Sequence, residues 1–165
     1  AKKVLDNGGM VYYSPKSEES SFHNSIRAQF STDFWSVGTF GRQEGAMGQL
    51  IQKDHPLFKE FPTESHTNWQ WWPMANQRAV ILPDTVKQPF DAIITEMDSY
   101  AFLRPMAQLF ECRVGNGKLL YSTLGLQDLQ QYPEGKALLR SIYKYLDLET
   151  FAPKQSIEWE TLVSI

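Results

Sequence analysis

The chain has 165 residues, 42% of them hydrophobic and 13% aromatic, with sixteen basic and nineteen acidic side chains and a net charge of -3. That length suits one domain, burying roughly two-thirds of the surface its unfolded chain would expose. No apolar run approaches the ~20 residues that span a bilayer, and the charges form no basic stripe that could neutralise phosphates. Membrane and nucleic acid are therefore not expected partners. A single cysteine, Cys112, excludes an intramolecular disulfide and a multi-cysteine metal site.

In chain order, Val4 to Gly9 reads as the last turn of a helix closed by a left-handed glycine, followed by a strand over Met10 to Tyr13. A start at a helix end is the pattern expected of a piece cut from a larger protein. Ser14 to Ser25 is polar and suits an exposed loop with at most a short helical turn. Phe30, Phe34, Trp35 and Phe40, with Gly38 and Gly41, form an aromatic segment of ambiguous secondary structure that must pack against something. His55 to Pro62 predicts one short helix, with Pro56 in its first turn, Pro62 as its stop, and Leu57, Phe58 and Phe61 turned inward.

Three strand signals follow. Ala79 to Leu82 is a short apolar run ended by Pro83-Asp84, as in a buried strand. Ala92 to Met97 is β-branched, and its far end delivers Glu96 and Asp98 to one edge. Met106 to Val114 and Lys118 to Leu124, joined through Gly115-Asn116-Gly117, predict an antiparallel hairpin with Asn-Gly in its turn. Pro133 then opens a helix to Leu148 with Leu138, Leu139, Ile142, Tyr145 and Leu146 on one face. The tail, Phe151 to Ile165, alternates weakly and is expected as a strand or the start of a following element, which leaves residues 1–150 as an α/β domain.

No catalytic constellation emerges from these elements. Cys112 lies inside a hairpin strand without the flanking glycines of a nucleophile turn, so it reads as a buried structural residue. Ser65, His66 and Asp98 lack the Gly-x-Ser-x-Gly elbow, and no signature selects two catalytic carboxylates from Glu64, Glu96, Asp98 and Glu111. The histidines His23, His55 and His66 show no metal-ligand spacing, and Gly38, Gly41, Gly45 and Gly48 make no phosphate cradle. No cofactor is expected.

The most unusual stretch is Phe61 to Pro73, which holds three of the five tryptophans. Sugar rings stack their C–H faces on aromatic surfaces while their hydroxyls seek fixed polar partners. Glu64, His66, Asn68, Trp69, Trp71 and Trp72, with Asp98 and Arg104 past the end of a strand, are accordingly the candidate carbohydrate-binding residues. The competing reading buries the tryptophans in a core or an interdomain contact and makes Asp98 and Arg104 a loop brace.

Phe34-Trp35-Ser36, His55-Pro56-Leu57-Phe58, Phe61 to Trp72, Asp98 to Arg104 and Phe110 to Leu120 together resemble the C-terminal accessory region of bacterial glycoside hydrolase family 2 proteins, the β-galactosidase-like enzymes of Bacteroidetes. Gly8-Gly9 before a strand and the Val-Gly-x-Gly-Lys hairpin are also similar to the class I glutamine-amidotransferase-like fold, a flavodoxin-like layered α/β sheet. The resemblance implies a non-catalytic domain beside a catalytic barrel, a parent active in carbohydrate metabolism in the periplasm or outside the cell, contacts to other domains or to a second copy, and oligosaccharide as a further partner. A carbohydrate-binding module and an independent hydrolase related to amidotransferases are the alternatives.

Overall fold

The sheet is organised around its longest strand, β6 (Met106–Val114), in a computed structural model that describes residues 1–29, 45–87 and 89–165. The other strands among the described residues are β1 (Met10–Tyr13), β2 (Ser25–Arg27), β3 (Gly48–Ile51), β4 (Arg78–Ile81), β5 (Ala92–Met97) and β7 (Gly117–Ser122). On one side β6 pairs antiparallel with β5, which pairs antiparallel with β3. On the other, β4 takes the first residues of β6 at Met106 and Ala107, and β7 takes the stretch from Leu109 to Val114. β2 then adds to β4 in antiparallel fashion and β1 to β7 in parallel. The result is a mixed sheet with helices, as α/β patterning predicts, although most of its neighbours run antiparallel.

Two irregularities set which side chains face which core. Between β5 and β6 the partners run Ala92 to Phe110, Ile94 to Leu109 and Thr95 to Ala107, so an extra residue stands first on β5 at Ile93 and then on β6 at Gln108. Because side chains alternate faces along a strand, each insertion switches the face. The polar Gln108 falls at the second of these switches.

Helices cover the sheet through separate apolar clusters. α2 (Pro133–Leu146) buries Leu138, Leu139, Ile142, Tyr145 and Leu146 with Leu57, Trp71, Ile93, Leu109 and Leu120. α1 (Lys2–Asp6) and α3 (Trp159–Leu162) contribute Leu5 and Leu162 to a second cluster with Phe110, Cys112, Leu119 and Tyr121. Neighbouring residues of β6 and β7 thus divide between the two, as period-two alternation requires.

Several expectations change in detail. The hairpin turn is Gly115-Asn116, with the positive φ of 56° on Gly115, because Val114 pairs with Gly117 and places that glycine in β7. A glycine first in a two-residue turn matches strand twist as Asn-Gly does. The predicted helix after His55 is one 3-10 turn, Pro56–Phe58, with the His55 ring accepting from the Leu57 N–H at 3.2 Å. The tail forms α3 instead of a strand and meets the edge of the sheet at Arg113, whose N–H donates to the Gln155 carbonyl and which forms an isolated bridge with Ser156. Its Phe151 joins the α2 cluster, while Ile157, Leu162 and Ile165 join the other. β2 and β3 were not anticipated. The aromatic segment from Phe30 to Phe40, with Gly38 and Gly41, lies outside the described residues.

Candidate functional site

The tryptophan segment is built from a single buried anchor. Trp71 is fully buried and packs edge-on against Phe58 and Phe61, with ring centroids at 6.1 and 5.5 Å, and its Nε1–H donates to Thr63 Oγ1 at 2.7 Å. It sits in a 3-10 turn, Trp69–Trp71, whose start is capped by Asn68 Oδ1 accepting from the Gln70 N–H at 3.0 Å. In such a helix residues three apart eclipse one another, so burying Trp71 throws Trp69 and Trp72 together onto another face. Their rings lie 5.6 Å apart at 41°, and they are 77% and 50% exposed.

The polar candidates divide into separate pairs. Glu64 and His66 face each other across 3.3 Å on the surface. Asp98 accepts from the Arg104 Nε–H and backbone N–H, each at 2.7 Å, from Arg104 Nη2 at 2.9 Å, and from the Ser99 N–H at 2.8 Å. Burial alone would raise the Asp98 carboxyl, but these bonds from Arg104 and Ser99 hold it below its ordinary range. The loop they close contains Leu103 at φ 53°, a left-handed conformation unusual for a branched side chain, and the Arg104 guanidinium lies over the Phe102 ring at 4.5 Å. Asp98 and Arg104 therefore brace a loop. Trp71 and Asn68 likewise serve the local fold, which leaves the exposed pair Trp69 and Trp72 as the surface able to meet a ligand or partner.

Cys112 is fully buried in β6, and burial first, then the neighbouring Glu111, push its thiol up to about 12. Since the thiolate is the reactive form, this side chain is placed for packing, not for attack. Maleimide or iodoacetamide should leave the native protein unlabelled at neutral pH and label it stoichiometrically in denaturant; rapid labelling of the folded chain would contradict this placement.

Two features were not read from the sequence. Glu96 is 1% exposed; its Oε1 accepts from the Gly48 N–H at 3.2 Å, whereas its Oε2 is buried without a hydrogen-bond partner among the described residues. Desolvation, with a smaller contribution from Asp98, pushes this carboxyl from 4.5 up to about 8. Beside it, Gln49 donates to Gln108 Oε1 at 2.5 Å, and Thr67 Oγ1 accepts from the Gln49 N–H at 2.6 Å, forming a polar seam inside the sheet. Separately, His55, Asp91, Glu111 and Tyr145 converge on a cleft of about 480 Å³. The hairpin alternation carried a signal for it: Glu111 shares the period of Leu109 and so points toward α2 instead of solvent.

Among the described residues no group of three or more His, Cys, Asp or Glu side chains could hold a metal ion, and no helix is long and apolar enough to cross a membrane. No curated protein matches the chain. A family model described as a domain of unknown function, DUF8487, matches residues 1–165, and the chain belongs to that family.

Proposed function

We propose that the chain is a non-catalytic accessory domain of a β-galactosidase-like glycoside hydrolase, and that the Trp69 and Trp72 face is where it meets a neighbouring domain or a second copy. The observation that carries this reading is the adjacent pair of exposed indoles, held outward by the buried Trp71. Paired large aromatics are characteristic of interface cores. The family 2 resemblance of the surrounding sequence supplies the parent's chemistry. Helices on both faces of the sheet and the parallel β1–β7 pair favour the flavodoxin-like, amidotransferase-like layering, from which the antiparallel neighbours of β6 depart.

A second reading is favoured by one observation. Trp69 and Trp72 offer an exposed stacking surface, and Glu64 and His66, a few residues earlier in the chain, are exposed polar groups of the kind that bind sugar hydroxyls. On that reading the domain contacts oligosaccharide directly.

The test is made on the natural reading frame. It should also encode a barrel with paired catalytic glutamates, and deleting residues 1–165 should leave kcat on aryl glycosides within a few-fold while lowering stability or changing the assembly state. A reading frame without such a barrel, or glycoside turnover by the isolated chain, contradicts the proposal.

A further inference from the structure

The cleft at the start of β5 and the end of α2 is assembled from four separate parts of the chain. Its walls include Pro56, Ile93 and Ala152, and its polar groups are His55, Asp91, Glu111 and Tyr145, with Lys154 at the rim. Its volume, about 480 Å³, lies in the range of small-molecule sites. The polar groups are fixed before any ligand arrives. The Tyr145 hydroxyl, from a ring that is 2% exposed, donates to Glu111 Oε2 at 2.7 Å, and the His55 ring packs edge-on against Tyr145 at 5.2 Å. Gln155 ties the far side together: its Nε2 donates to the Asp91 carbonyl at 2.8 Å and the Glu111 carbonyl at 2.9 Å, and its Oε1 accepts from the Asp91 N–H at 3.0 Å. Gln52 Nε2 donates to Asp91 Oδ1 and holds that carboxylate in place.

The chemistry of a ligand follows from one gap. His55 Nδ1 accepts from the Leu57 N–H, so the neutral ring carries its proton on Nε2. That Nε2 lies 4.0 Å from Glu111 Oε2, too far for a direct hydrogen bond. A group inserted between them must accept from Nε2–H and donate to the carboxylate. A hydroxyl does both, an ammonium only donates, and a carboxylate only accepts. Asp91 adds another acceptor, which further disfavours an anion, while the proline and alanine walls suit C–H faces.

We propose that this cleft binds a small neutral polyhydroxylated molecule of the size of a monosaccharide, one of whose hydroxyls bridges His55 Nε2 and Glu111 Oε2. Burial lowers the His55 imidazole, which keeps the ring neutral near pH 7. The inference is independent of the parentage proposed above and uses a different surface from Trp69 and Trp72.

The experiment follows the His55 ring resonances of the whole chain by NMR during titration with glucose, galactose, mannose and sorbitol, and with acetate as the anionic, acceptor-only comparison. At least one polyol should give saturable shifts and acetate none. Glu111→Gln keeps an acceptor for the Tyr145 hydroxyl and should weaken binding by about tenfold or more; Asp91→Asn, at an exposed position, should weaken it in the same direction should the first variant prove unstable. No movement of the His55 resonances with any polyol, movement with acetate alone, or wild-type affinity in both carboxylate variants would overturn the proposal.

Discussion

Replacing Trp71 with alanine should lower the stability of the domain by ~3–5 kcal/mol, a large fraction of the total for a single domain, whereas Trp69→Ala should stay within ~0.5 kcal/mol. Trp71 is fully enclosed, meets Phe58 and Phe61 edge-on, and gives its indole N–H to Thr63. Truncation leaves a cavity among rigid aromatics and a hydroxyl without its donor. Trp69 has 77% of its surface in solvent and loses little on truncation. Thermal melts followed by circular dichroism should separate the two variants by on the order of 10 °C. Equal melting temperatures would mean that the anchor and platform roles are misassigned.

Glu96→Gln should abolish a pH dependence of stability that the wild-type protein carries between about pH 4.5 and 8. The carboxyl has its ordinary value of 4.5 in the unfolded chain and about 8 in the fold. The native state therefore holds a proton that the unfolded state releases, so stability falls as pH rises through this window, by up to ~1.4 kcal/mol per unit and on the order of 4 kcal/mol across it. Below 4.5 both states are protonated and the group contributes no slope. Glutamine keeps the acceptor for the Gly48 N–H and cannot ionise, so the variant should match wild type near pH 5 and exceed it near pH 8.5. Urea titrations at several pH values measure the difference. Parallel curves for the two proteins would show that Glu96 ionises without penalty.

What the sequence made legible follows the strength of local signals. Met10–Tyr13 and Ala92–Met97 carry β-branched or aromatic runs bounded by glycine, proline or aspartate, and α2 repeats its apolar residues every three or four positions; these elements stand where the pattern places them. Ser25–Arg27 and Gly48–Ile51 are three and four residues long, with too few side chains to display alternation, and they exist because β4 and β5 offer edges to pair with. The tail could not be read because its conformation is decided by docking: Ser156 bridges to Arg113 beyond the start of β5, and Ile157 and Leu162 fill the cluster under the sheet.

The site was legible in composition and not in geometry. Three tryptophans within four residues marked an unusual surface, but only the 3-10 turn decides that Trp71 goes inside while Trp69 and Trp72 stay out. Asp98 and Arg104, grouped by position with the candidate sugar ligands, spend their hydrogen bonds on each other and on the loop backbone. The His55 and Glu111 cleft joins residues 56 positions apart across a 3-10 turn and a strand, a proximity that no local spacing encodes.

The proposed accessory role depends above all on the Trp69 and Trp72 face being a contact surface. Hydroxyl-radical footprinting read by mass spectrometry, applied to the isolated chain and to the protein of its full natural reading frame, tests that directly. Trp69 and Trp72 should be strongly oxidised in the isolated chain and protected in the full protein, with Trp71 protected in each. Equal oxidation of Trp69 and Trp72 in the two samples would contradict that role.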